Sequence, residues 1–233
     1  MGPDSRYGKK VCIFLPALNE EKAIGGVIDE VPRAKLEERG YEVEILVVDN
    51  RSTDGTREVA EKRGVSVITE PRRGKGYAVR TAFKSINSDF VFMLDADLTY
   101  PAKYIPQMLE LLESGFDVVI GSRLKGRIED KAMSKMNLVG NHVLTLTAKL
   151  LYGTSISDLC TGYWGFHQHV VKGLTLDATG FEIEAKMFAQ IARKGHSIAE
   201  IPIEYRRTIR PSRLSSLKDG FRIGRVLITE RMR

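Results

Sequence analysis

The chain predicts an α/β fold with a mostly parallel sheet flanked by helices. Three observations predict it: short apolar, β-branched runs recur along the first half; longer amphipathic segments separate them; and acidic or polar residues stand where several of the runs end. Strand–helix alternation at this spacing builds βαβ units. In such sheets ligands sit beyond the carboxyl ends of the strands.

In order, Val11–Leu15, Val43–Val48, Val65–Thr69, Phe90–Leu94 and Val118–Gly121 read as buried strands bounded by turn residues. Between them, helical patterns run over Glu20–Arg39 (broken near Pro32), Thr53–Arg63, Lys75–Lys84 and Ala102–Ser114. Beyond Ser122, Lys131–Tyr152 reads as a long helix with apolar positions Met133, Met136, Val139, Val143, Leu146 and Leu150. Asp158–His167 suits a loop followed by a strand, Phe181–Lys194 a helix, and Ile198–Arg206 a strand alternating Ile201, Ile203 and Tyr205. A basic stretch, Arg206–Arg213, leads into an amphipathic end carrying Leu214, Leu217, Phe221, Leu227 and Ile228. With no repeat or low-complexity linker, the reading is a main domain over residues 1–213 and an appended basic amphipathic segment over 214–233.

At 233 residues the chain is long enough to bury a sizeable core. Its net charge of +6 belongs to the end: from Arg193 to Arg233 there are 11 Lys/Arg against 4 Asp/Glu. A basic tail suits a membrane surface, phosphorylated substrates or nucleic acid. The two cysteines, Cys12 and Cys160, make neither a framework nor a metal cluster, and are expected reduced, as in the cytosol. Residues 1–10 lack a signal-peptide apolar stretch. No run reaches the ~20 apolar residues that span a bilayer; Leu138–Tyr152 is too short and carries Lys149. The expected location is cytoplasmic, with any membrane contact peripheral.

Asp95 and Asp97 follow the apolar strand Phe90–Leu94, and in extended geometry positions i and i+2 share a side. Two carboxylates there call for a cation, and Mg²⁺ or Mn²⁺ with a diphosphate supplies one through oxygen ligands. A solvated turn is the plainer alternative. Arg72-Arg73-Gly74-Lys75-Gly76 opens a helix, where glycines allow close backbone approach and a helix N-terminus favours anions. It is neither a Walker A loop nor a G-x-G-x-x-G fingerprint. No nucleophile elbow appears, and His142, His167, His169 and His196 lack ligand spacing. Glu182 and Glu184 read as acids in the first turn of a helix.

Taken in order, these segments resemble family 2 inverting glycosyltransferases of the GT-A fold, specifically dolichyl- or polyprenyl-phosphate sugar synthases. Leu15-Pro16-Ala17-Leu18-Asn19-Glu20-Glu21 is similar to the P-x-x-N-E opening, and Val47-Val48-Asp49-Asn50-Arg51-Ser52-Thr53-Asp54 to V-V-D-D-x-S-x-D. Arg73-Gly74-Lys75-Gly76-Tyr77-Ala78, Asp95-Ala96-Asp97-Leu98-Thr99-Tyr100-Pro101, Gly121-Ser122-Arg123, Asp158-Leu159-Cys160-Thr161-Gly162 and Ser212-Arg213-Leu214 resemble the later motifs. Departures are Asn50 for a frequent Asp, Thr99 where some mannose-transferring members have Gln, and Arg210-Pro211 for the usual Gly-Glu.

The resemblance implies inverting, metal-dependent transfer of a hexose from a nucleotide sugar to dolichyl or polyprenyl phosphate. The Gly74-Lys75-Gly76 loop is closer to members using UDP-Glc or UDP-GlcNAc than to GDP-Man members. It implies Asp95 and Asp97 as Mg²⁺ or Mn²⁺ ligands, with Asp97 and Arg123 catalytic. Pro16, Leu18, Glu20, Asp49, Asn50, Lys75 and Asp95 would bind the nucleotide sugar; Arg123, Lys135, Thr161, Arg210 and Arg213 would bind the acceptor phosphate. That phosphate, with a second pKa of about 6, is largely dianionic at neutral pH and needs no general base. Transfer to a soluble or polysaccharide acceptor is the alternative reading. A nucleic-acid-binding module is a remote one, because it leaves the D-A-D and P-A-L-N-E segments without a role.

Overall fold

The structure, a computed structural model, describes residues 8–208 and 216–233, with the Ser216 side chain left aside. Seven strands form one sheet: β1 (Lys9–Ala17), β2 (Tyr41–Asp49), β3 (Ser66–Thr69), β4 (Phe90–Met93), β5 (Val118–Ile128), β6 (Trp164–His167) and β7 (Ile198–Tyr205). Their order is β3-β2-β1-β4-β6-β5-β7. β6 runs antiparallel to both neighbours and every other pairing is parallel. The predicted α/β class is therefore the observed one.

The central strands are apolar throughout because both faces are covered. Along β1, Val11, Ile13, Leu15 and Ala17 enter one core, while Cys12 and Phe14 enter the other. Phe90, Phe92 and Leu94 divide from Val91 and Met93 in the same way, the period of two that a pleated strand imposes. Cys12 and Cys160 are free thiols.

The helices are α1 (Ile24–Glu30), α2 (Arg33–Glu38), α3 (Thr56–Glu61), α4 (Lys75–Ser85), α5 (Ile105–Glu113), α6 (Lys135–Tyr152), α7 (Gln168–Gly173), α8 (Ile183–Arg193) and α9 (Ser216–Arg231), with a 3₁₀ turn at Ala102–Tyr104. Pro32 separates α1 from α2 as expected, since proline disfavours helix at the residue before it. α6 starts four residues later than the apolar pattern predicts, because Ser134 caps it by accepting from the Asn137 N–H at 3.1 Å. β5 continues seven residues past Gly121, with a register irregularity between Ser122 and Arg127.

α6 reverses the usual amphipathic rule. Asn141, Thr145 and Ala148 face inward, whereas Met136, Val139, Val143, Leu146 and Leu150 are exposed. α9 packs against α6 and α8, burying Ile223 and Leu227 and exposing Leu217, Phe221 and Ile228. Among the described residues no helix is long and apolar enough to cross a membrane.

Candidate active site

The parallel strands β1, β2 and β4 end at one edge, and the loops leaving them are tied to one another. Asn19, held at φ 52°, receives the Thr53 N–H on its Oδ1 at 2.7 Å, and its own N–H donates to Ser52 Oγ at 2.8 Å. The Glu20 N–H donates to Thr56 Oγ1 at 2.7 Å. Asp49, the last residue of β2, is buried and accepts from the Ser52 N–H at 3.1 Å. Pro16 and Leu18 are half-buried at the exit of β1. The P-A-L-N-E and V-V-D-N-R-S segments thus form one platform.

Asn50 uses its amide in full. Nδ2 donates to the carbonyls of Glu70 (3.3 Å) and Arg72 (2.5 Å), and Oδ1 accepts from the Gly74 N–H at 2.7 Å. An aspartate there has no donors for the two carbonyls, so the residue serves to fold the loop that delivers Lys75. The glycines of that loop admit another backbone segment. A Cβ on Gly74, which sits at φ 138°, would lie 2.1 Å from the Thr179 carbonyl oxygen, and one on Gly76 2.4 Å from that of Ala178. The Gly76 N–H donates to Thr179 O at 3.1 Å.

Lys75 is half-buried and turned into the sheet edge, with Nζ 2.5 Å from Asp95 Oδ1 and 2.6 Å from Glu184 Oε1. Burial alone would lower its pKa; Asp95 and Glu184 more than offset that and hold the ammonium charged. Burial raises the Glu184 carboxyl above the ordinary range, against the pull of Lys75, with Asp95 adding to the rise. Glu184 is a site residue that the sequence pattern shows only as a helix-start acid; Gly180-Phe181 ahead of it marks the helix start but not its partner.

β4 ends at Met93, so Asp95 and Asp97 do not share a side through extended geometry as the sequence predicts. A turn brings them together instead, with Leu98 at φ 65°. Asp97 Oδ1 accepts from the Thr99 N–H at 3.1 Å and from Thr99 Oγ1 at 2.5 Å. Burial and the neighbouring Asp95 raise its pKa. Asp95 and Glu184 thus share one ammonium, and Asp97 stands beside Asp95. That surplus of hard oxygen ligands fits a divalent cation of the Mg²⁺ or Mn²⁺ type.

The D-L-C-T-G loop closes the other side. A Cβ on Gly162 would lie 2.3 Å from Asp95 Oδ2, and the Gly162 N–H donates to the Tyr100 hydroxyl at 2.8 Å. Arg123 is buried in a two-pronged pair with Asp158, Nε–Oδ2 2.8 Å and Nη2–Oδ1 2.7 Å, and stacks 5.2 Å over the Tyr205 ring. Asn141 Nδ2 donates to the same carboxylate at 2.6 Å, which explains why α6 turns a polar side inward. Cys160 lies within electrostatic reach of both ion-pair systems; burial, with Asp158 and Glu184, pushes its thiol up to about 12.

Of the residues expected to hold an acceptor phosphate, Arg123 is engaged by Asp158. Thr161 is fully buried and donates to the Gly121 carbonyl at 2.6 Å. Lys135 is exposed at the start of α6, and Arg210 and Arg213 lie outside the described residues. The structure therefore gathers Lys75, Asp95, Asp97, Thr161 and Arg123 at one edge and leaves Lys135 outside that cluster.

A model of the family described as "Glycosyl transferase family 2" matches residues 12–175. The chain is 35% identical over 221 residues to the glycosyltransferase AglJ of Haloferax volcanii, covering 94% of this chain and 70% of that protein. It is 32% identical over 228 residues to a dolichyl-phosphate hexose transferase of the same organism, covering 96% of each. Glucosyl-3-phosphoglycerate synthase of Mycobacterium tuberculosis, solved with Mn²⁺, UDP-Glc and phosphoglyceric acid, superimposes with a TM-score of 0.78 at 22% identity, over 97% of this chain and 80% of that one. That likeness establishes the GT-A type of fold. Because the family match runs through both the platform and the carboxylate edge, and the relatives align nearly from end to end of this sequence, the chain belongs to glycosyl transferase family 2 and is a glycosyltransferase.

Proposed function

We propose that the enzyme transfers a hexose, with inversion, from a nucleotide sugar to dolichyl or polyprenyl phosphate, with UDP-Glc or UDP-GlcNAc preferred over GDP-Man. The observation that carries this reading is the carboxylate edge beside the β1 and β2 platform, where Asp95 and Glu184 share Lys75 and Asp97 stands beside Asp95. The platform of Pro16, Leu18, Glu20, Asp49 and Asn50 would receive the nucleotide. Asp97, with Asp95 assisting, would hold Mg²⁺ or Mn²⁺, which when bound supplies Lewis-acid stabilisation of the departing diphosphate. Lys75 bridges Asp95 and Glu184 and fixes both carboxylates in place.

The lipid acceptor is supported by the relative named as a dolichyl-phosphate hexose transferase and by the surface. A dianionic phosphate is its own nucleophile, so the protein's work is to align it and to offset its charge. The Arg123–Asp158 pair would anchor the acceptor loop rather than offer a free cation, leaving Lys135, Arg210 and Arg213 to meet the phosphate. The exposed Met136, Val139, Val143, Leu146 and Leu150 of α6, with Leu217 and Phe221 of α9, would meet the bilayer. Lys218, Arg222 and Arg225, also exposed, would add roughly 1 kcal/mol each near anionic lipid. On this reading residues 1–213 carry the chemistry and 214–233 help seat the enzyme on the cytoplasmic face. Leu227, an apolar position of the C-terminal amphipathic stretch, is fully buried and belongs to the core.

The test is transfer of labelled hexose from UDP-Glc, UDP-GlcNAc and GDP-Man to dolichyl phosphate in anionic vesicles, beside soluble sugar acceptors. Label in the lipid fraction, dependent on Mn²⁺ or Mg²⁺, is expected. Transfer to soluble sugars alone overturns the lipid reading.

A further inference from the structure

At the opposite pole of the sheet, three side chains from three separate elements converge. Asp117 precedes β5, His169 is the second residue of α7, directly after the antiparallel β6, and His196 lies two residues ahead of β7. All three therefore sit at the amino ends of the parallel strands, away from Asp95 and Asp97. Their ligand atoms lie within 4.8 Å of one another. His169 Nε2 is 3.1 Å from Asp117 Oδ1, and His196 Nδ1 is 3.7 Å from Asp117 Oδ2.

The 3.1 Å contact is a direct hydrogen bond, and the two contacts use different carboxylate oxygens. One ligand atom from each residue nevertheless already lies within 4.8 Å of the others, a small side-chain adjustment from what a tetrahedral ion requires. Zn²⁺ bonds of ~2.0–2.1 Å to imidazole nitrogen and carboxylate oxygen place neighbouring ligands roughly 3.3 Å apart. The carboxylate is already oriented: Asp117 Oδ2 accepts from the Ser197 N–H at 2.8 Å and from Ser197 Oγ at 2.9 Å. Second-shell bonds of this kind fix ligands in metal sites. His169 is exposed and the other two are half-buried, so an ion has an entry path and room for water as a fourth ligand. The sequence hides the cluster, because its members are separated by 52 and 27 positions.

We propose that Asp117, His169 and His196 bind a Zn²⁺-class ion as a structural staple. Two imidazoles and one carboxylate favour Zn²⁺ over the oxygen-seeking Mg²⁺. The ion would join α7 to the chain entering β5 and β7, fixing the half of the sheet that carries Arg123. This site is separate from the Asp95–Asp97 edge and does not depend on the transfer reaction.

The experiment uses the full chain, freed of metal by a chelator and titrated with Zn²⁺ against a chromophoric competitor, with Co²⁺ as a spectroscopic substitute. Wild type is expected to bind one Zn²⁺ at this site and to give the intense visible bands of tetrahedral Co²⁺. His169→Gln, His169→Ala and His196→Ala, each checked for native circular dichroism, are expected to weaken that binding about a hundredfold or more, beyond the cost of an outer-shell loss. They should also abolish the Zn²⁺-induced rise in melting temperature. Asp97→Asn should leave this binding unchanged. The proposal is overturned if wild type binds no Zn²⁺, or if Asp97→Asn removes the binding while the histidine variants keep it.

Discussion

Replacing Lys75 with Met removes the ammonium shared by the half-buried Asp95 and the buried Glu184 while keeping most of the side-chain volume. In the wild type Nζ contacts Asp95 at 2.5 Å and Glu184 at 2.6 Å, with the lysine side chain 10% exposed. Removing one partner of a buried pair typically costs about 3–5 kcal/mol, because the other charge stays desolvated. For a domain of this size that lowers Tm by roughly 6–20 °C. The loss should depend on pH in a definite direction. Glu184 and Asp97 already have folded pKa values above the ordinary carboxylate range, and loss of Lys75 raises them further. A carboxyl with a raised folded value binds its proton more tightly in the fold than in the unfolded chain, so acidification favours the fold at these groups. The variant's deficit is therefore largest at neutral pH and shrinks as pH falls through the raised values. Urea denaturation of Lys75→Met, Glu184→Gln and the double variant in EDTA measures it, with the double variant losing less than the two single losses added together. A neutral-pH deficit below about 1 kcal/mol, or strict additivity, would refute the ion-triad account.

Three further outcomes follow from single contacts. Asn50→Asp keeps the bond from Gly74 but forfeits both donations to Glu70 O and Arg72 O, so the urea midpoint should report a loss of about 2 kcal/mol. Gly162→Ala drives a methyl into the Asp95 carboxylate; transfer should fall at least about tenfold, for roughly 1–3 kcal/mol of stability. Glu70 is held down to about 2, first by its bond from the Arg72 side chain. Its contribution is present above the ordinary glutamate range and is lost as pH falls toward about 2, so Glu70→Gln should decline less steeply in acid than wild type.

What the sequence showed and what it hid divide along physical lines. The strands were legible because both faces of β1, β2 and β4 are buried, which forces unbroken apolar runs. Asp95 and Asp97 were legible because acids after such a run have little packing purpose. Glu184 was not, since its pairing with Lys75 spans 109 positions and a first-turn acid is commonplace. Arg123 shows in sequence as a cation available to a phosphate; only the fold supplies Asp158 as its partner. The direction of α6 was hidden for the same reason: its periodic apolar stripe faces outward because Asn141 and Thr145 are needed at the D-L-C-T-G loop, where Asn141 Oδ1 and Thr145 Oγ1 receive backbone N–H groups of Cys160 and Leu159.

The carboxylate edge as the site of transfer is tested most directly by Asp97→Asn, assayed for hexose transfer at saturating nucleotide sugar and Mn²⁺. Only one charge changes, and the Thr99 contacts to Oδ1 can persist with the amide oxygen in that place. The melting temperature should stay near that of wild type while turnover falls at least about a hundredfold, the scale on which loss of an electrostatic stabiliser acts. Turnover close to wild type in a natively folded variant would contradict the assignment.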